Sequence, residues 1–162
     1  MDETYVKVKG AWKYLYRAVS GQGDTIYFYL SSTRNISAAT IFLKKALRGA
    51  RASQPPESIT TDKNPTYQAA IRRINEQRVE EPPIMHRDVK YLNNVIEADH
   101  GKLKRLMKPT LGFKTMKSAY ATLKGFEVMR MFRKGQFACW YPDEGVMGEV
   151  RLINRQFGIY GA

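Results

Sequence analysis

Residues 2–32 read DETYVKVKGAWKYLYRAVSGQGDTIYFYLSS. Thr4 to Lys9 alternate apolar and polar side chains and stop at Lys9-Gly10. Ala11 to Ser20 form a second extended run rich in aromatics, and Gly21-Gln22-Gly23-Asp24 supplies turn chemistry before a third, TIYFYLSS. Period-two runs of aromatic and β-branched residues between short turns predict an antiparallel meander of three strands. Trp12, Tyr14 and Tyr16 share one face of the second strand, and packing against the core or a helix is expected of them.

The pattern then changes to helical spacing. NISAATIFLKKALRGA predicts a helix capped by Asn35 or Ser37, with Ile41, Phe42 and Leu47 inward and Gly49 as the stop. SITTD is a short strand that ends on Asp62, NPTYQAAIRRINEQ a helix with Pro65 in its first turn, and EEPPIMH a further short strand. RDVKYLNNVIEADHGKLKRLMK and TMKSAYATLKGFEVMRMFRKGQ are two long helices separated by PTLGF. The tail contains turns and a candidate strand, GEVRLINRQF. The order β-β-β-α-β-α-β-α-α predicts an α/β fold with a mixed sheet and helices on its faces. An RNase H-like sheet of five strands, three antiparallel followed by two more, has this order.

The chain has 162 residues, 43% of them hydrophobic, enough for one domain with a core. No apolar run is long enough for a membrane span, and the N-terminus lacks the basic-then-apolar pattern of a signal peptide. Cys139 is the single cysteine, so no internal disulfide forms; a small apolar filler in a reducing cytoplasm is expected. Lys and Arg number 27 against 15 Asp and Glu, a net charge of +12, which points to a polyanionic partner, nucleic acid first. Between Arg87 and Lys134 there are 12 basic and 4 acidic residues. A solvated face of two helices accounts for that excess equally well.

Against this basic background a few carboxylates stand out. Asp62 ends a strand just before a helix, where an N-cap is the commonest role. Asp2 and Glu3 point to opposite faces of the first strand, so one of them can join Asp62 while the other meets solvent or a lysine. At about 100° per residue from Ile96, Leu103 and Met107 lie within about 20° of the stripe centre. His100, Asn93, Lys104 and Glu97 follow at about 40°, 60°, 80° and 100°, which puts Glu97 and Lys104 on one flank. A charged row beside an amphipathic stripe is the simpler reading of that flank. His86 is expected to be a buried or capping histidine. His100, near the apolar stripe, is a candidate to orient Glu97 or touch DNA.

Thirty-four residues separate Asp62 from Glu97, and Lys104 follows Glu97 by seven. With TTDKNPTY, KYLNNVIEADHGKLKRLMKPTLGFKTMKSAYATLKGFEVMR and FRKGQ, this spacing resembles the D-D-E catalytic domain of bacterial insertion-sequence family six. The resemblance implies a DNA transposase that cleaves and transfers strands at insertion-sequence ends. It implies an RNase H-like catalytic core over residues 1–134, with 135–162 a tail packed on the core or at a dimer interface. It also implies two Mg²⁺ or Mn²⁺ ions on Asp2, Asp62 and Glu97, with His100 and Asn93 behind them. Lys104 would contact DNA near the cleaved phosphate, joined by Lys102, Arg105, Lys108, Lys114 and Lys117, with Lys124 further along. Insertion-sequence ends and target DNA are the implied partners, a homodimer the implied assembly, and the bacterial cytoplasm at the nucleoid the implied location. Family members carry a helix-turn-helix region ahead of the core. Only Met1 precedes Asp2 here, so a core truncated at its N-terminus is expected, with Asp2 beside a free α-amino group. Another RNase H-like nuclease and a non-enzymatic DNA-binding regulator are the alternatives.

Overall fold

The computed structural model describes residues 1–50, 56–78, 81–88, 94–137 and 144–156. Strands β1 (Asp2–Val8), β2 (Ala11–Val19) and β3 (Thr25–Ser31) form the expected antiparallel meander, in that order across the sheet. The β1–β2 hairpin closes on two residues, Lys9 and Gly10, both with positive φ (50° and 76°), the geometry whose twist matches that of the strands it joins. At the next turn the Ser20 hydroxyl accepts hydrogen bonds from the Gln22 and Asp24 amides.

Pairing register assigns the two faces of the sheet. Glu3, Tyr16 and Tyr29 are aligned on one, with Tyr5, Tyr14 and Ser31 beside them and then Lys7 and Trp12. Asp2, Arg17 and Phe28 are aligned on the other, followed by Thr4, Leu15 and Leu30. Helix α1 (Ile36–Ala50) and helix α2 (Pro65–Glu76) cover the first face. Their Ala39, Phe42, Leu43, Ala46, Tyr67 and Ile71 form one core with Tyr16 and Ala18. Asn35 is the α1 cap, since its side chain accepts from the Ala38 amide at 2.9 Å. Ile41, expected inside, is exposed, and α1 continues through Gly49 to Ala50. The buried set Ala38, Ala39, Phe42, Leu43, Ala46 and Leu47 is centred one residue beyond Ile41.

β4 (Ser58–Thr60) and β5 (Met85–Arg87) pair in parallel as a separate two-stranded sheet. The expected single sheet of five strands is therefore two ladders. The Met1 α-amino group, which donates to the Thr60 carbonyl at 2.5 Å, links the start of β1 to the end of β4. Helix α3 (Asn94–Met107) follows β5, and its inward residues Ile96, Asp99, His100 and Leu103 recur at helical spacing. A 3₁₀ turn (Lys108–Thr110) ends it, with Leu111 in the left-handed region. Phe113 then pairs with the end of β1: its amide donates to the Lys7 carbonyl and its carbonyl accepts from the Lys9 amide, both at 2.8 Å. Gly112 (φ 106°) lies so close that a Cβ would stand 3.3 Å from the Lys7 carbonyl oxygen.

Helix α4 (Met116–Arg133) begins at a reciprocal Thr115–Ser118 cap. The chain divides into two compact units, Met1–Thr122 and Leu123–Ala162. In the first, Tyr120 of α4 packs on Phe28 of β3, ring centroids 5.3 Å apart. In the second, the Phe132 and Phe137 rings lie 4.5 Å apart and helix α5 (Gly145–Gln156) has an Arg151–Glu144 ion pair at 2.9 Å. The tail stretch read as a strand is thus a helix. Among its described positions Gly148 and Leu152 are buried, four residues apart, a helical spacing that the β-branched Val150 and Ile153 obscured. Cys139, Trp140 and Tyr141 lie outside the described residues, as does Asn93. Among the described residues no helix is long and apolar enough to cross a membrane.

Candidate active site

Asp2 opens β1 and faces α3. Its carboxylate lies 3.6 Å from His100 Nδ1, beyond hydrogen-bonding distance, and accepts from the Glu3 amide at 2.7 Å. Burial raises its pKa to about 6, and the nearby Asp62 charge adds to the rise. Asp62 follows β4 and is not the cap of α2. Asn64 takes that role, its side chain accepting from the Thr66 amide at 3.0 Å, and Asp62 accepts from the Asn64 amide at 3.3 Å. The buried Thr61 steadies this corner. Its hydroxyl donates to the Asp62 carbonyl, so it accepts from His86 Nε2 at 2.8 Å. His86 thereby ties β5 to the residue that precedes Asp62.

The Met1 α-amine, buried on the Thr60 carbonyl, is lowered to about 6 by desolvation, against the opposing pull of Asp2 and Asp62. Glu3, expected to meet solvent or a lysine, is buried instead. It pairs with Arg34 and accepts from Asn64 Nδ2 at 3.3 Å. Burial is the main cause of its raised pKa, with Arg34 opposing.

Glu97 is in the first turn of α3 and exposed. Among the described residues no three His, Cys, Asp or Glu side chains converge closely enough to hold a metal ion. The Asp62 charge acts on Asp2, while Glu97 stands on α3, the helix that covers Asp2. Helix α3 runs in the same sense as β1: His100 is beside Asp2, and Lys104, Met107 and Lys108 share a groove with Thr4 to Lys7. Glu97 lies one turn nearer the N-terminus of α3, hence past His100 at the Asp2 end. Lys102, Lys104, Arg105, Lys108, Lys114 and Lys117 are all exposed, as is Lys124 in the second unit. His100 is buried, and desolvation with the charges of Arg17 and Lys104 lowers its pKa to about 3, so it meets Asp2 as a neutral ring.

The sequence reading missed one feature of this site. Arg17, the cross-strand neighbour of Asp2, forms an ion pair with Asp99 of α3 at 2.5 Å, with both side chains buried. The pair anchors α3 to the sheet between Glu97 and Lys104. A signal was present: Asp99 falls at about −60° from Ile96, inside the apolar stripe, where a carboxylate requires a cationic partner.

A family model described as DDE domain, for IS240-type transposases, matches residues 1–136. The chain belongs to the DDE domain family of insertion-sequence transposases, the group known as family six. Its relatives include the transposase for insertion sequence-like element IS431mec of Staphylococcus aureus, 33% identical over 137 residues. The transposase for insertion sequence element IS257 in transposon Tn4003, from the same species, is similar to the same degree. In both cases the match covers 84% of this chain and 58% of the relative, so the chain spans little more than half their length. An uncharacterized protein of Yersinia pseudotuberculosis is 39% identical over 77 residues, 48% of this chain and 72% of that protein. No solved structure matches.

Proposed function

We propose that this chain is the catalytic core of a DNA transposase, which cuts and joins strands at insertion-sequence ends with divalent metal ions held by Asp2, Asp62 and Glu97. The observation that carries the reading is the convergence of Asp2 and Asp62 from two separate sheets, at the end of the molecule toward which α3 directs Glu97. In this reading the two ladders are parts of one RNase H-like architecture, and residues 1–134 form the core. The donor set fits Mg²⁺ or Mn²⁺, hard ions that take carboxylate oxygens and keep several waters. Asp2 is partly desolvated beside a second carboxylate, so a cation relieves a repulsion already present. When bound, two such ions supply activation of a water or 3′-hydroxyl and stabilisation of the leaving oxygen.

The side chains do the rest. Asp62 is held by the Asn64 amide and by the Thr61–His86 bridge. His100, neutral, closes the α3 side of Asp2 without neutralising it. Lys104 and its neighbours Lys102, Arg105 and Lys108 contact phosphates, with Lys114 and Lys117 extending that surface, and they position the strand without reading its sequence. The active assembly is a homodimer on DNA.

Protons compete with metal at Asp2. With its pKa near 6, affinity for Mn²⁺ falls as pH drops through that value, by up to about tenfold per unit below it. Calorimetric Mn²⁺ titrations between about pH 5 and pH 7 check this; a constant affinity contradicts it.

The function itself is tested by incubating the chain with Mg²⁺ or Mn²⁺ and end-labelled terminal-repeat DNA. Metal-dependent nicking or joining is the expected result. A second reading, a DNA-binding protein without catalysis, draws on the exposed Glu97 standing apart from the other two carboxylates. DNA retention with no product under either metal establishes that alternative.

A further inference from the structure

β1 is the outer strand of the meander, and a groove of about 460 Å³ runs along its outer side from Thr4 to Lys7, up to where Phe113 pairs with the end of the strand. Thr4 to Lys7 and Trp12 form one wall, and Lys104, Met107 and Lys108 with the 110–113 segment form the other. The sequence reading expected Trp12 to pack inside with Tyr14 and Tyr16. Tyr16 lies in the core and the half-buried Tyr14 packs against it, whereas Trp12 is 62% exposed, because α1 and α2 cover the sheet at Tyr16 and Tyr29 and leave the Trp12 end open. Tyr5 is also exposed and meets Trp12 edge to face, centroids 6.4 Å apart at 77°. Leu111, 91% exposed, stands at the far lip on its left-handed residue. Every charged residue lining the groove is a lysine: Lys7, Lys104 and Lys108.

An aromatic floor ringed by cations and free of carboxylates matches a nucleotide, with a π-face to stack and a phosphate to neutralise. Its place on β1 gives the register. Trp12 pairs with Lys7, five residues from Asp2 and about 17 Å along an extended strand, which is roughly five base steps of a single DNA strand. We propose that this groove binds an unpaired base of the DNA strand, about five nucleotides from the phosphate at Asp2. Trp12 stacks on the base with Tyr5 at its edge, and Lys104 and Lys108 hold the flanking phosphates. A base inside a duplex is stacked on both sides and cannot present its face to Trp12, so the groove selects a strand that has opened.

The proposal rests on the DNA reading above and is tested without cleavage, on the full chain with EDTA, by fluorescence anisotropy of labelled DNA. Trp12→Ala weakens binding of a short single strand about tenfold, within the range for one lost stacking contact. Trp12→Phe restores most of that loss, and neither change moves affinity for a closed duplex. A strand made abasic throughout binds the unaltered chain about tenfold more weakly, and Trp12→Ala then adds nothing. Equal affinity of Trp12→Ala and the unaltered chain for the single strand overturns the proposal. So does an effect of the substitution on sedimentation alone, which assigns the groove to a second copy of the chain. A chain that shows the stacking dependence but no metal-dependent nicking loses the catalytic reading and keeps this one.

Discussion

Asp62→Asn removes metal-dependent strand cleavage, by on the order of a thousandfold or more, and leaves DNA binding in place. The amide has the shape of the carboxylate, and its oxygen still accepts from the Asn64 amide, so the corner after β4 is preserved. What it lacks is the charge that a hard divalent cation requires. The loss is large because carboxylates that share metal ions act as a unit, and removing one disables the others. Glu97→Gln has the same consequence, although its side chain is exposed and its substitution costs the fold little. DNA affinity at low salt rests on Lys102, Lys104, Arg105 and Lys108 and stays within about twofold. Nicking assays and filter binding on the same preparations measure both quantities. Cleavage by Asp62→Asn at the rate of the unaltered chain removes Asp62 from the reaction.

The second large effect is on stability. Asp99→Ala breaks the ion pair with the Arg17 guanidinium, which is buried at 1% exposure, and costs about 3–5 kcal/mol. This is a substantial part of the stability of a domain of this size. The cost arises from breaking one half of a buried pair, so Arg17→Met with Asp99→Leu recovers most of it. Urea unfolding of the two single variants and the double variant tests this. A loss below about 1 kcal/mol for Asp99→Ala shows that the pair is not buried as described. The double variant also separates stability from positioning. Nonpolar side chains fill the space but do not fix the rotation of α3, and Glu97 and His100 are set by that rotation.

Much of the site was legible because strand alternation and helical spacing are local properties. The alternation in TYVKVKG placed Asp2 and Glu3 on opposite faces, and the structure gives Asp2 to α3 and Glu3 to Arg34. The angle from Ile96 put Glu97 on the flank of α3, where its side chain is exposed. What the sequence did not reveal depends on pairing between distant segments. The separation of β4 and β5 from the meander reflects hydrogen bonds that no local pattern encodes. The burial of Glu3 depends on Arg34 in the loop after β3 and on Asn64 before α2. Trp12 was misplaced because the period of a strand fixes a face but not how far a covering helix extends along it. The α5 helix was misread because β-branched residues in a short window favour a strand until buried positions are known.

In the proposed site Asp2, Asp62 and Glu97, from β1, the end of β4 and the first turn of α3, close on a divalent metal. Crystals of the full chain grown with Mn²⁺, analysed by anomalous scattering, test it most directly. Anomalous peaks are expected between Asp2 and Asp62, with the Glu97 carboxylate drawn in to complete the ligand set. Mn²⁺ bound elsewhere, or a lattice of folded protein with no peak on these carboxylates, contradicts it.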